Sequence, residues 1–169
     1  MKDKIAILAT DGFEDVELLY PYYRLKEAGY SVDLISLAIE EIKGKHGYPM
    51  APDLYIKKAD ADDYIGVILP GGANNPDHLR RHKTVLNFVK KMDDQKKLIA
   101  AICHAGWVLI SAKILTGRNA TSYFAIKDDM VNAGVNFKDQ PVVVSENLIT
   151  SRSPADLPAF MKAILGFLE

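Results

Sequence analysis

Leu98-Ile99-Ala100-Ala101-Ile102 runs without a polar residue into Cys103-His104-Ala105-Gly106-Trp107, and an apolar segment, Val108-Leu109-Ile110, follows. The first five residues, small or branched, predict a buried strand; the last three predict the start of a helix. Between them the pattern is Ala101-x-Cys103-x-Ala105. A nucleophile on a sharp strand-to-helix turn needs small residues two before and two after it, because larger side chains collide at the bend. Such an elbow lifts the sulfur above the carboxyl ends of the strands, where open α/β sheets bind ligands. It also sets the sulfur at a helix N-terminus, whose partial positive charge favours the nucleophilic thiolate. Free cysteines are often plain core residues; here the spacing favours a reactive one.

Working outward, apolar runs with strand character recur at Ile5–Ala9, Val32–Leu37, Val67–Leu69, Val142–Val144 and Leu148–Thr150. The earlier ones are continuous rather than alternating, as in strands covered on both faces. Helical spacing lies between them. Leu18, Tyr22, Leu25 and Ala28 recur at three to four residues and Gly29 stops the run; Val85, Phe88, Val89 and Met92 repeat the pattern. Leu157, Phe160, Met161, Ile164 and Leu168 form a C-terminal amphipathic helix, opened by Ser153-Pro154. Pro21 predicts an irregular turn from Glu14 to Tyr20 before the first helix. The alternation predicts an α/β three-layer sandwich, a mostly parallel sheet with helices on both faces. Gly44–Asp63 breaks the rhythm as an edge hairpin or excursion, and Val142–Thr150 reads as a hairpin turning at Glu146-Asn147. No repeat or linker divides residues 1–169, so one domain is expected.

Lys and Arg number 21 against 22 Asp and Glu, a net charge of −1. No field is strong enough to hold a nucleic acid or an acidic membrane surface. A single cysteine forms no intrachain disulfide and suits a reducing cytosol. Met1-Lys2-Asp3-Lys4 leads straight into apolar residues with no cleavage-site pattern, and no stretch is long enough to span a bilayer. A cytoplasmic protein is expected.

A second group of residues falls on neighbouring loops. Val67-Ile68-Leu69-Pro70-Gly71-Gly72 is a strand ending in a turn whose glycines leave backbone N–H groups unobstructed. The N–H groups of Gly72 and His104 could together hold a developing oxyanion. After the first strand, Thr10-Asp11-Gly12-Phe13-Glu14-Asp15-Val16-Glu17 opens at the same edge. Glu14, between Phe13 and the apolar helix start, is the carboxylate expected to be buried near Cys103, where desolvation and like charge would keep it protonated.

These residues together resemble the PfpI/ThiJ family, the intracellular-protease-like branch of the Parkinson-disease-protein superfamily, which has a flavodoxin-like, class I glutamine amidotransferase-like fold. The resemblance rests on Phe13-Glu14-Asp15-Val16-Glu17-Leu18, Gly44-Lys45-His46-Gly47-Tyr48, Leu69-Pro70-Gly71-Gly72, Ala101-Ile102-Cys103-His104, Thr121-Ser122-Tyr123, Ile126-Lys127-Asp128-Asp129 and Ser151-Arg152-x-Pro154-Ala155-Asp156-Leu157. It implies Cys103 as nucleophile, Glu14 as the carboxylate touching its sulfur and His104 as the adjacent histidine. It further implies Gly71 and Gly72 at the oxyanion site, Tyr123 near the substrate, and a homo-oligomer (dimer, trimer or hexamer). Asp77 is the candidate to reach a neighbouring subunit's histidine, one residue later than the family's usual spacing.

Three readings follow from the resemblance. In the first, a glyoxalase III or deglycase, Cys103 adds to methylglyoxal or its glycated adducts, Glu14 moves a proton between adjacent carbons, and a thioester is hydrolysed to lactate. No metal or cofactor is expected, and Gly71-Gly72 is not a dinucleotide-binding run. In the second, a cysteine peptidase, a histidine must face the thiolate, and adjacent residues at an elbow are expected to point apart. A glutaminase is excluded, since no histidine follows His104. The third is a redox sensor or holdase built on an oxidisable Cys103. His78 and His82 read as a solvated face, His46 as a turn residue and Trp107 as packing.

Overall fold

A computed structural model describes residues 3–169; Met1 and Lys2, which open the segment read above for a targeting signal, lie outside them. The strands are β1 (Lys4–Leu8), β2 (Ser31–Ser36), β3 (Ile42–Lys43), β4 (Pro49–Met50), β5 (Leu54–Tyr55), β6 (Gly66–Leu69), β7 (Leu98–Ile102), β8 (Asn119–Ala120), β9 (Asn136–Phe137), β10 (Val142–Ser145) and β11 (Leu148–Ser151). Seven of them form one sheet in the order β10-β11-β7-β6-β1-β2-β5, parallel throughout except for the β10–β11 hairpin. The fold is the mostly parallel, flavodoxin-like sheet with helices around it that the strand–helix alternation predicts.

The helices are α1 (Asp15–Glu27), α2 (Asn74–Leu79), α3 (Lys83–Asp94), α4 (Gly106–Ser111), α5 (Lys127–Asn132) and α6 (Leu157–Leu168). Successive residues of a strand face opposite sides, so β1 sends Ile5 and Ile7 to one core and Ala6 and Leu8 to the other. The first core receives Leu18 and Leu25 of α1 with Phe160, Met161 and Ile164 of α6. The second receives Val85, Phe88, Val89 and Met92 of α3 with Val108 and Leu109 of α4. Burying both faces is what permits the unbroken apolar strands.

Residues 44–63 leave the sheet as expected. β3 and β4 make a small hairpin, and β5 then adds the edge strand beside β2. The β10–β11 turn carries Glu146 at φ 56°. It is clasped to the end of α3 by Arg118, which donates to Asp93 and to Asn147, each at 2.8 Å. The irregular turn expected at Glu14–Tyr20 does not form: α1 begins at Asp15 and runs through Pro21. Proline costs a helix the hydrogen bond its nitrogen would have made four residues back, and sets its ring against that same carbonyl. That acceptor is the carbonyl of Glu17, and tertiary packing of Leu18, Pro21 and Leu25 holds the helix across the gap.

The chain leaves β1 for β2 on one side and later returns to lay β6 on the other side of β1. The carboxyl ends of β1 and β6 therefore flank the switch point where such sheets form a crevice. Among the described residues, no helix is long and apolar enough to cross a membrane.

Candidate active site

The loops after β1, β6 and β7 meet at that crevice and enclose a cavity of about 430 Å³, lined by Glu14, Glu17, Lys45, Gly72, Cys103, His104 and Tyr123 among others. Cys103 takes φ 63°, the left-handed region that side chains rarely adopt. The elbow read from Ala101-x-Cys103-x-Ala105 is therefore real. It delivers Cys103 through a short 3-10 turn, Cys103–Ala105, into α4.

The carboxyl group beside the sulfur belongs to Glu17, not to Glu14. Glu17 is fully buried, accepts from the Gly71 N–H at 2.8 Å through Oε2, and its carboxyl group interacts with the Cys103 side chain. Burial pushes its pKa up to about 8, against the Gly71 hydrogen bond that favours the ionised form. Its other oxygen, Oε1, is buried with no hydrogen-bond partner among the described residues. A bare buried carboxylate oxygen is costly, which agrees with a carboxyl that keeps its proton at neutral pH.

Glu14 instead turns toward the cavity mouth, where Oε2 lies 3.2 Å from Lys45 Nζ and Oε1 lies 3.2 Å from His46 Nε2. The difference follows from the helix boundary. With α1 starting at Asp15, Glu14 is its N-cap residue at the rim, while Glu17 shares the inward face with Pro21 and Leu25 at four-residue spacing.

The thiol itself departs from the dipole expectation. Burial first, then the charge of an ionised Glu17, pushes Cys103 up to about 12. The helix that follows, α4, is only six residues long and begins three positions downstream; it is the backbone N–H groups of His104 and Gly72 that oppose the rise by favouring charge on the sulfur. Cys103 and Glu17 thus titrate as a pair sharing protons. In the singly ionised pair, two N–H groups favour charge on sulfur and one, from Gly71, favours it on the carboxyl group. The same Gly72 and His104 donors are those expected to hold an oxyanion.

His104 does not point away from its neighbour. Its Nδ1 lies 3.2 Å from Cys103 Sγ, while its ring stacks on Tyr123 at 5.0 Å and meets the edge of Trp107 at 5.2 Å. Burial, reinforced by Lys45, lowers its pKa, so the ring is a neutral partner for the thiol. Tyr123 is tied to the elbow by its own N–H, which donates to the Cys103 carbonyl at 3.1 Å. Asp77 lies on α2, half exposed, with Arg81 3.5 Å away, and does not line the cavity.

Two supports had no sequence signal strong enough to find them. Asn75, fully buried, accepts from the Thr10 N–H and donates to the carbonyls of Pro70 and Gly71, stitching two loops together. Asp15 accepts from the N–H groups of His46 and Tyr48 and so pins the Gly44–Tyr48 loop. That loop carries Lys45 to the cavity. Glu14, Asp15 and His46 bring possible metal-ligand atoms within 4.8 Å of one another, but the hydrogen bonds and ion pairs just described already occupy their oxygens.

Gly71 shows how tight the centre is. A Cβ there would sit 2.6 Å from Cys103 Cβ and 2.6 Å from Glu17 Oε2. Gly71→Ala is therefore expected to cost about 1–3 kcal/mol of stability by overpacking. It should also lower turnover at least about ten-fold by parting the sulfur from the carboxyl group. Thermal unfolding and a turnover assay read the two effects separately.

The sequence model of the DJ-1/PfpI family matches residues 3–166. The chain is 43% identical to the deglycase PfpI of Pyrococcus furiosus, over 98% of this chain and 99% of that one. It is 45% identical, over the full length of both, to YraA of Bacillus subtilis, which carries a provisional cysteine-protease name. Among solved structures, the DJ-1/ThiJ/PfpI-like part of a two-domain protein from Anabaena variabilis superposes with a TM-score of 0.97 at 41% identity. This chain is covered over 99% of its length there and spans 48% of that larger chain. Drosophila melanogaster DJ-1beta gives a TM-score of 0.91 at 29% identity, covering 97% of this chain and 89% of that one.

Proposed function

We propose that this protein, which belongs to the DJ-1/PfpI family, is a cofactor-independent cysteine enzyme that converts methylglyoxal, or the adducts methylglyoxal forms on proteins, to lactate. The observation that carries the reading is the contact of a buried, proton-holding Glu17 with the Cys103 thiol. Deglycase names among relatives more than 40% identical support it.

The chemistry balances without an oxidant. The Cys103 thiolate adds to the aldehyde carbon, and the Gly72 and His104 N–H groups hold the oxygen that becomes negative. Glu17 first passes its proton to that oxygen. The carboxylate so formed removes the proton from the same carbon and returns it to the neighbouring carbonyl carbon through an enediol, the hydroxyl proton passing from the first oxygen to the second, which leaves a lactoyl thioester on sulfur. Water then releases lactate and the thiol. With an amine adduct, the thiolate displaces the amine at the same carbon, the leaving amine takes the Glu17 proton, and the later steps are unchanged.

The competent form is the pair with one proton between Cys103 and Glu17. Lactate formation, followed as kcat/KM, should rise with pH and level off near the pair's first ionisation, at about 8. A flat profile from pH 6 to 9 would contradict the shared proton. The reading as a whole is tested by assaying lactate from methylglyoxal with wild type and with Cys103→Ser; equal rates would end it.

One observation favours a second activity. His104 Nδ1, 3.2 Å from the sulfur, is placed to take the thiol proton and hand it to a leaving amine, the requirement of a cysteine peptidase. A fluorogenic peptide cleaved by wild type and not by Cys103→Ser would support it. A cytoplasmic location and a homo-oligomeric assembly, with Asp77 directed at a neighbouring copy's histidine, belong to this same proposal.

A further inference from the structure

Beyond the catalytic cavity lies a second one of about 290 Å³, and the two share Tyr123 as a common wall. Pro154 lines the first, and its chain neighbour Ser153 lines the second. Tyr123 is held from both sides, by its N–H on the Cys103 carbonyl and its ring on His104. Anything bound at the sulfur and extending outward can therefore cross a fixed aromatic step into the second cavity.

That cavity has walls suited to more than solvent. Phe124 leaves 80% of its surface exposed, an unusual state for so apolar a ring. Phe137 forms another wall, with Lys127 Nζ 5.7 Å from its ring centroid. The two cations differ in how they are compensated. Arg152 is matched by Asp139 at 2.9 Å and Asp156 at 2.8 Å. Lys127 has no carboxylate within ion-pair distance among the described residues. The cavity thus offers aromatic surface and one cation, Lys127, that stands outside any ion pair among the described residues.

Methylglyoxal, three carbons long, reacts at the sulfur and reaches none of this. A protein-borne adduct does, because the polypeptide that carries it must leave the catalytic cavity somewhere. We propose that the second cavity seats the polypeptide flanking the modified residue, with Lys127 pairing an acidic side chain and Phe124 and Phe137 packing against its apolar stem. The inference rests on the deglycase reading and narrows it to adducts on acidic segments of protein.

The test compares methylglyoxal with two synthetic peptides treated with methylglyoxal, identical but for aspartates or lysines beside the modified residue. Wild type should favour the acidic peptide in kcat/KM by roughly five-fold, the effect of one partly exposed charge pair. Lys127→Ala should abolish that preference through KM with kcat unchanged, and Phe124→Ala should raise KM for both peptides. Both variants should turn over methylglyoxal within about two-fold of wild type, since neither residue lines the catalytic cavity.

A preference retained in Lys127→Ala would overturn the inference, as would equal losses on all three substrates. The latter result, with an altered sedimentation coefficient in Phe124→Ala, would assign Phe124 to a contact between copies of the chain. If wild type consumes methylglyoxal but neither peptide, the inference fails while the glyoxalase activity stands; if it consumes none of the three, the function reading itself fails.

Discussion

Cys103→Ser is expected to lower lactate formation from methylglyoxal by ~10³-fold or more while leaving the fold intact. The serine hydroxyl is a far weaker acid than a thiol, and neither nearby proton acceptor can compensate. His104 is made less basic by burial, and Glu17 already holds its proton at neutral pH. The hydroxyl is close in size to the thiol it replaces, and the left-handed backbone at 103 is equally demanding for both residues. Circular dichroism and thermal unfolding should match wild type to within about 1 kcal/mol. Wild-type lactate production by this variant would remove Cys103 from the chemistry altogether.

Glu17→Gln should separate activity from stability in opposite directions. The amide can still accept from the Gly71 N–H, so the local packing survives, but it cannot carry a proton between two carbons. A loss of about 10²- to 10⁴-fold in lactate formation is expected.

The stability effect runs the other way, because the folded protein raises the carboxyl pKa from an ordinary 4.5 to about 8. Between those values the folded state holds a proton that the unfolded chain has lost, so wild-type stability falls as pH rises through that window. The full difference is on the order of 5 kcal/mol. A neutral amide does not titrate and escapes this loss. The Glu17→Gln variant should therefore be about 2–4 kcal/mol more stable than wild type at pH 8 and indistinguishable from it below about pH 4.5. Urea unfolding at low and at mildly alkaline pH measures this. A variant less stable at both would mean that Glu17 is held in its ionised form by partners it needs.

How much of this the sequence discloses can be judged from single residues. Cys103 and Gly72 were legible because a bend that exposes a nucleophile imposes small neighbours on it, and small neighbours are visible in a string of letters. The parallel sheet was legible because strands buried on two faces admit almost no polar residue. The identity of the buried carboxylate was not. Four acids, Asp11, Glu14, Asp15 and Glu17, crowd one short loop and helix start, and choosing among them requires the helix phase. Pro21 suggests an irregular start to α1, and with that start misplaced, the four-residue stripe Glu17–Pro21–Leu25 could not be used. The direction of the His104 ring was hidden for a different reason. It is set by stacking on Tyr123, far along the chain, and no local pattern encodes such a contact.

The backbone at position 103 has an evolutionary corollary. Holding a side chain at φ 63° costs the folded protein about 1–2 kcal/mol that glycine would not incur. Selection must be renewing that expense in every generation. A duplicated descendant released from its chemistry would gain most cheaply by drifting to glycine there, so the letter found at this one position in a paralogue should report whether the paralogue still has a reaction to perform.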